Sequence, residues 1–97
     1  MSENCQLLSQ TEIDKFLKSH NEWKLSNNGI ERELKFDTYL KSIDFINKIA
    51  IKAEELNHHP DMKIGYCNIK ICFYTHDLNG LSNYDLKMVE ATNNILG

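Results

Sequence analysis

The alternation of apolar and polar positions changes period several times along the chain, and each change marks an element. Leu8-Ser9-Gln10-Thr11-Glu12-Ile13 opens a helical stretch. Ser9 is placed to cap it, Glu12 to reach back to the Ser9 amide, and Leu8 to pack on Ile13 as a hydrophobic staple. With Ile13, Phe16 and Leu17 as its apolar stripe, this helix is predicted over Thr11–Ser19. His20 follows and reads as a solvent-exposed residue near a helix C-terminus, where positive charge is favourable. Period two comes next: Trp23-Lys24-Leu25 and Ile30 to Phe36 flank Ser26-Asn27-Asn28-Gly29, a hairpin signature. Ile30, Leu34 and Phe36 share one face of the second strand, and Glu31, Glu33 and Lys35 the other. Arg32 interrupts the apolar face and is expected to snorkel to the edge or pair with a carboxylate.

From Asp37 or Thr38 the period turns helical for about 20 residues, with Leu40, Ile43, Ile46, Ile49, Ala50, Ala53 and Leu56 as a broad stripe. Phe45 and Ile51 fall partly outside it, and this surplus of apolar surface points to a subunit interface. Met62 to Tyr66 and Ile69 to Thr75 form a second hairpin, turning at Cys67-Asn68. Asn79-Gly80 breaks the chain. Leu81-Ser82-Asn83-Tyr84-Asp85-Leu86 then repeats the opening device, with Ser82 as cap, Asp85 as the reciprocal acid and Leu81 against Leu86. The last helix carries Leu86, Val89, Ile95 and Leu96, flanked by Met88 and Ala91. The order α-β-β-α-β-β-α predicts one α+β domain over residues 1–97, a four-stranded antiparallel sheet with helices on one face.

Composition narrows the function classes. A net charge of −3 and the absence of any Lys/Arg cluster leave no electrostatic footprint for direct nucleic-acid binding. No apolar run reaches the roughly 20 residues that span a bilayer, and Met-Ser-Glu-Asn-Cys-Gln lacks a basic-then-apolar leader, so a cytoplasmic, untargeted chain without a membrane partner is expected. Three cysteines, odd in number and widely spaced, read as reduced thiols rather than a disulfide framework. Cys5 is expected at an exposed terminus, Cys67 in a turn and Cys72 on a strand face.

The chemistry concentrates between Glu54 and Asp77, which hold three of the four histidines. Pro60, the one proline, lacks an amide hydrogen and biases its predecessor away from the helical region, so the long helix should end near His58. His58 and His59 then lie at a helix terminus. On the strand beyond, Ile69, Ile71, Phe73 and Thr75 share one face and Lys70, Cys72, Tyr74 and His76 the other, which sets His76 at the strand's end. Three imidazoles at element ends suit proton transfer to a small molecule near neutrality. By itself a His-His pair before proline is an ordinary helix-end feature. No metal site is expected: His58 and His59 lack the i, i+4 spacing of a helical zinc pair, and Cys67 and Cys72 have opposite parity.

Glu54-x-x-x-His58-His59-Pro60, then Tyr66, His76 and Asp85, resembles the pterin-4a-carbinolamine dehydratase family over nearly the whole chain, including Leu8-Ser9, Trp23, Thr75-His76 and Gly80-Leu81-Ser82. The resemblance implies a 4a-hydroxytetrahydrobiopterin dehydratase. Such an enzyme forms the quinonoid dihydropterin in tetrahydrobiopterin recycling, with a pterin as small-molecule substrate and neither cofactor nor metal. It implies His58 and His76 as the acid–base pair and His59 as a catalytic-site histidine that binds or orients the pterin. Asn57 joins them in the first substrate-contacting segment, and Tyr74, Thr75 and Asp77 flank His76 in the second. Glu54, one turn before His58, is placed to orient that imidazole or contact the pterin. Asp85 is fully explained as a capping acid and stays outside the site. The resemblance further implies a homodimer or homotetramer. For some animal members it implies a homeodomain transcription factor as regulatory partner, which would add a nuclear location. The competing class is therefore a non-catalytic dimerisation or coactivator module. Three departures from the commoner family pattern bear on affinity: Asn57 for an aspartate, Met62 for a tryptophan that could stack on a pterin, and Tyr74 for a smaller residue.

Overall fold

The computed structural model describes residues 4–27 and 29–97. Asn28 of the predicted turn, and the first three residues of the N-terminal stretch read for a leader, lie outside the described residues. The elements are α1 (Gln10–Ser19), β1 (Lys24–Ser26), β2 (Gly29–Lys35), α2 (Tyr39–Leu56), β3 (Asp61–Gly65), β4 (Asn68–Phe73), a 3-10 turn (His76–Leu78) and α3 (Asn83–Leu96). Two hairpins are joined through their inner strands into an antiparallel sheet of order β1-β2-β4-β3. The central pair runs from Ile30 opposite Phe73 to Lys35 opposite Asn68.

That register puts Ile30, Leu34, Ile69, Ile71 and Phe73 on one buried face, where they meet Phe45, Ile49 and Ala53 of α2 and Met88, Val89 and Ala91 of α3. Both capping boxes form, Ser9 with Glu12 and Ser82 with Asp85. Leu8 and Ile13 are both half-buried against the core. Gly29 closes the first hairpin at φ 127, and a Cβ there would stand 2.2 Å from the Phe73 carbonyl oxygen. Only glycine satisfies both demands.

Several expectations are corrected by packing. The buried line of α2 is Ser42, Phe45, Ile49 and Ala53, so Phe45 is core while Leu40 of the predicted stripe is 78% exposed; Ile51, expected outside the stripe, is 63% exposed. The helix is rotated from the predicted stripe because Phe45 packs on Phe36, ring centroids 5.7 Å apart. Met88 and Ala91 of α3 are core rather than flanking. The second hairpin turns at Tyr66-Cys67, with Cys67 left-handed at φ 59, one residue earlier than expected. Arg32 pairs with a neutral amide, its Nη1 donating to Asn93 Oδ1 at 2.9 Å, where Trp23 Nε1 also donates at 3.1 Å. His20 is half-buried, stacked on Phe16 with centroids 3.9 Å apart. No described helix is long and apolar enough to cross a membrane.

Candidate active site

The first wall of the site begins where α2 stops. Asn57 adopts the left-handed conformation (φ 51, ψ 45), and its N–H reaches back to the carbonyls of Ala53 and Glu54. Asparagine tolerates this region better than most residues, so it ends the helix cleanly and leaves the next two residues lining the recess. The second wall begins where β4 stops. The strand ends at Phe73, two residues short of the predicted Thr75. Thr75 pairs instead with Gly80 through backbone hydrogen bonds of 3.0 and 3.3 Å. His76 therefore rides on the 3-10 turn rather than on the strand. Between the walls lies a recess of about 250 Å³, lined by Asn57, His58 and His59 from one side and by Tyr74, Thr75, His76 and Asp77 from the other.

His58 is the most enclosed of these imidazoles. Its Nε2 lies 2.6 Å from Oδ1 of Asp85, whose side chain is wholly buried. The other oxygen, Oδ2, accepts from the Thr75 hydroxyl at 2.7 Å and from the Ser82 amide at 2.8 Å. The Thr75 and Ser82 hydroxyls stand 2.6 Å apart. Because Thr75 gives its single proton to Asp85, Ser82 must donate to Thr75, and the Ser82 oxygen accepts from the Tyr84 amide at 3.2 Å. Every direction in this chain is thus determined. An ionised Asp85 can only accept, so it holds the neutral His58 as the Nε2–H tautomer and leaves Nδ1 bare.

Asp85, placed outside the site as a capping acid, also bonds the most enclosed of the recess histidines. A capping box uses one carboxylate oxygen; the second, free to reach another element, was the available signal. Glu54 is also reassigned. Its Oε2 meets Nε2 of His59 at 2.5 Å, not His58, and it stands outside the recess. The left-handed Asn57 breaks the i, i+4 relation on which the Glu54–His58 pairing relied. At 77% and 52% side-chain exposure, the Glu54–His59 pair orients more than it stabilises.

The remaining candidates separate by position. Tyr74 lies in the recess, its ring 4.9 Å from that of His76 at 71°. Met62 pairs with Ile71 across the β3–β4 ladder and lines a different recess with Glu31 and Lys70. Tyr66, 79% exposed, stacks on Tyr39 outside the histidine recess. Among the described residues no group of three or more His, Cys, Asp or Glu is arranged to hold a metal ion.

Comparison with known proteins adds three findings. Residues 6–95 match the family model described as pterin 4 alpha carbinolamine dehydratase. A protein of Prochlorococcus marinus strain NATL2A is 31% identical over 90 residues, covering 93% of this chain and 95% of its own. One of Gloeobacter violaceus is 38% identical over 88 residues, 87% of this chain and 96% of its own. Both are provisionally named pterin-4-alpha-carbinolamine dehydratases. A Brucella melitensis crystal structure named as a transcriptional coactivator/pterin dehydratase superposes with a TM-score of 0.90 at 29% identity, covering 95% of this chain and 100% of that one.

Proposed function

Because the chain belongs to the pterin 4 alpha carbinolamine dehydratase family, we propose that it removes water from a 4a-hydroxytetrahydropterin to give the quinonoid dihydropterin, in recycling of tetrahydrobiopterin. The observation that carries this reading is the His58–Asp85 pair, 2.6 Å apart, opening into the recess that His59 and His76 also line.

The reaction breaks the C4a–O bond, forms a C=N bond, moves one proton off the ring nitrogen and delivers one to the leaving hydroxyl. No electrons change hands. His58, with Nε2–H committed to Asp85, presents Nδ1 as the base that takes the nitrogen's proton, and Asp85 steadies the imidazolium that forms. His76, at the solvent edge, delivers a proton to the departing oxygen. His59, held by Glu54, orients the pterin, and Asn57, Tyr74 and Asp77 bound it. Thr75 contributes through Asp85, since its hydroxyl proton is already engaged.

The test is the dehydration rate of freshly generated 4a-hydroxytetrahydropterin over buffer, for wild type and the His58→Ala/His76→Ala variant. Acceleration by wild type, cut by about 10²- to 10⁴-fold in a variant with an unchanged circular dichroism spectrum, is the expected result. A wild type no faster than buffer overturns the reading and favours a non-catalytic interaction module. That second reading is supported by the coactivator in the name of the Brucella melitensis protein and by the exposed Leu40 and Ile51. A cytoplasmic homodimer or homotetramer, with a nuclear share if a regulatory protein binds, belongs to the same proposal.

A further inference from the structure

The three site histidines are held by different side chains, and His58, beside its carboxylate, also meets the Tyr84 ring edge-on with centroids 6.0 Å apart. His58 has Asp85 and His59 has Glu54, both through hydrogen bonds. Among the described residues the His76 imidazole makes no hydrogen bond, and its one ring contact is Tyr74. We infer that Tyr74 is the positioning residue for His76, through a T-shaped ring contact held in place by its own hydroxyl. This inference rests on the dehydratase reading for its kinetic consequence, but its structural content stands independently of it.

The hydroxyl explains how the ring is held. Tyr74 leaves the end of β4 and donates to Oδ1 of Asn79 at 3.0 Å. Asn79 closes the 3-10 turn in the left-handed conformation (φ 56, ψ 47), its own N–H bonding the His76 carbonyl. With Thr75 and Gly80 paired at the base, the loop carrying His76 is fastened twice, once by backbone and once by the Tyr74–Asn79 bond across it. The exposed imidazole would otherwise sample several rotamers. A T-shaped aromatic contact biases such a choice by about two- to tenfold. It does so while leaving both imidazole nitrogens unoccupied, unlike the carboxylate partners of His58 and His59. A group that must deliver a proton and be recharged from solvent benefits from a partner that makes no claim on its nitrogens.

Three variants separate the parts. Tyr74→Leu removes the ring, Tyr74→Phe removes only the hydroxyl, and Asn79→Gly removes the acceptor while keeping the left-handed backbone. NMR of the histidine side chains in the unliganded protein is the first readout. Lost ring current alone moves the His76 resonances in Tyr74→Leu, so the rotamer is read from the Hα–Hβ couplings, which should average at His76 in Tyr74→Leu, less so in the other two variants, and stay unchanged at His58 and His59. Steady-state kinetics is the second. Tyr74→Phe and Asn79→Gly should each lower kcat about two- to fivefold with KM little changed, and the double variant should be no slower than either, because both delete one bond. Unchanged His76 Hα–Hβ couplings in Tyr74→Leu overturn the inference, and so do additive kcat losses. If wild type fails to accelerate dehydration, the functional reading falls, and the NMR comparison alone still decides whether Tyr74 positions His76.

Discussion

Asp85 serves two structures with two oxygens. Oδ2 completes the α3 capping box through the Ser82 amide, and Oδ1 holds the His58 imidazole. Asp85→Asn keeps the size of the side chain, but its oxygen must stay with the Ser82 amide, which can only donate, so its NH2 faces Nε2 of His58 and forces the opposite tautomer, with the proton on Nδ1. The expected outcome is a fall in kcat of about 10- to 100-fold with a small change in thermal midpoint, checked by the dehydration assay beside a melting curve. Residue identities made the three histidines legible, because imidazole and its titration range are properties of the residue itself. The partners were not legible to the same degree. Helical spacing puts Glu54 beside His58 or the pterin, and the left-handed Asn57 ends the spacing before the His58 contact can form. Asp85 looked complete as a cap, and only the fold shows that His58, 27 positions earlier, comes to its second oxygen.

At the scale of elements, β2 and β4 show how an outward-facing position can still be enclosed. Glu31 points away from the helices, as its parity predicts, yet it is only 6% exposed. Hydrogen bonding from Ser26, and then the Lys70 ammonium at 3.3 Å, hold its carboxyl below the ordinary value of 4.5. A carboxylate whose folded value is depressed adds stability that is complete above the unfolded value and is lost as pH falls through the folded one. Glu31→Gln should therefore flatten the decline in stability below about pH 4.5, relative to wild type, in urea titrations taken from pH 6 down to pH 3. Equal slopes for the two proteins would remove Glu31 from the acid response. Element type was readable from period and capping residues throughout, whereas the rotation of α2 was not. An apolar stripe as broad as Leu40 to Leu56 admits more than one inward face, and the Phe36–Phe45 contact selects among them.

For the whole molecule, the order of elements and the antiparallel sheet followed from two hairpin signatures and two capping boxes, all of which are local. The strand order β1-β2-β4-β3 was not stated by any local signal. It depends on which hairpin strand meets which, and that is decided by burying Ile30, Ile71 and Phe73 in one face. The surplus predicted for α2 is real, although Leu40 and Ile51 carry it and Phe45 has joined the core. If those two residues meet a second copy, Leu40→Lys/Ile51→Lys should shift the sedimenting species toward monomer with the circular dichroism spectrum unchanged. An unchanged sedimentation coefficient would place any assembly elsewhere on the surface.

The shared carboxylate of Asp85 has a consequence for anyone who would re-engineer this chain. By the usual rule for helix starts, glutamate three residues after a serine cap is an equal or better choice than aspartate. Here the longer side chain would drive a methylene into the space between the start of α3 and His58. A sequence optimised for helix formation alone would then trade a proton-transfer geometry for a better terminus. On the dehydratase reading, selection for thermal tolerance and selection for turnover would pull position 85 in opposite directions, and a library scored only for folding would discard the carboxylate that holds His58.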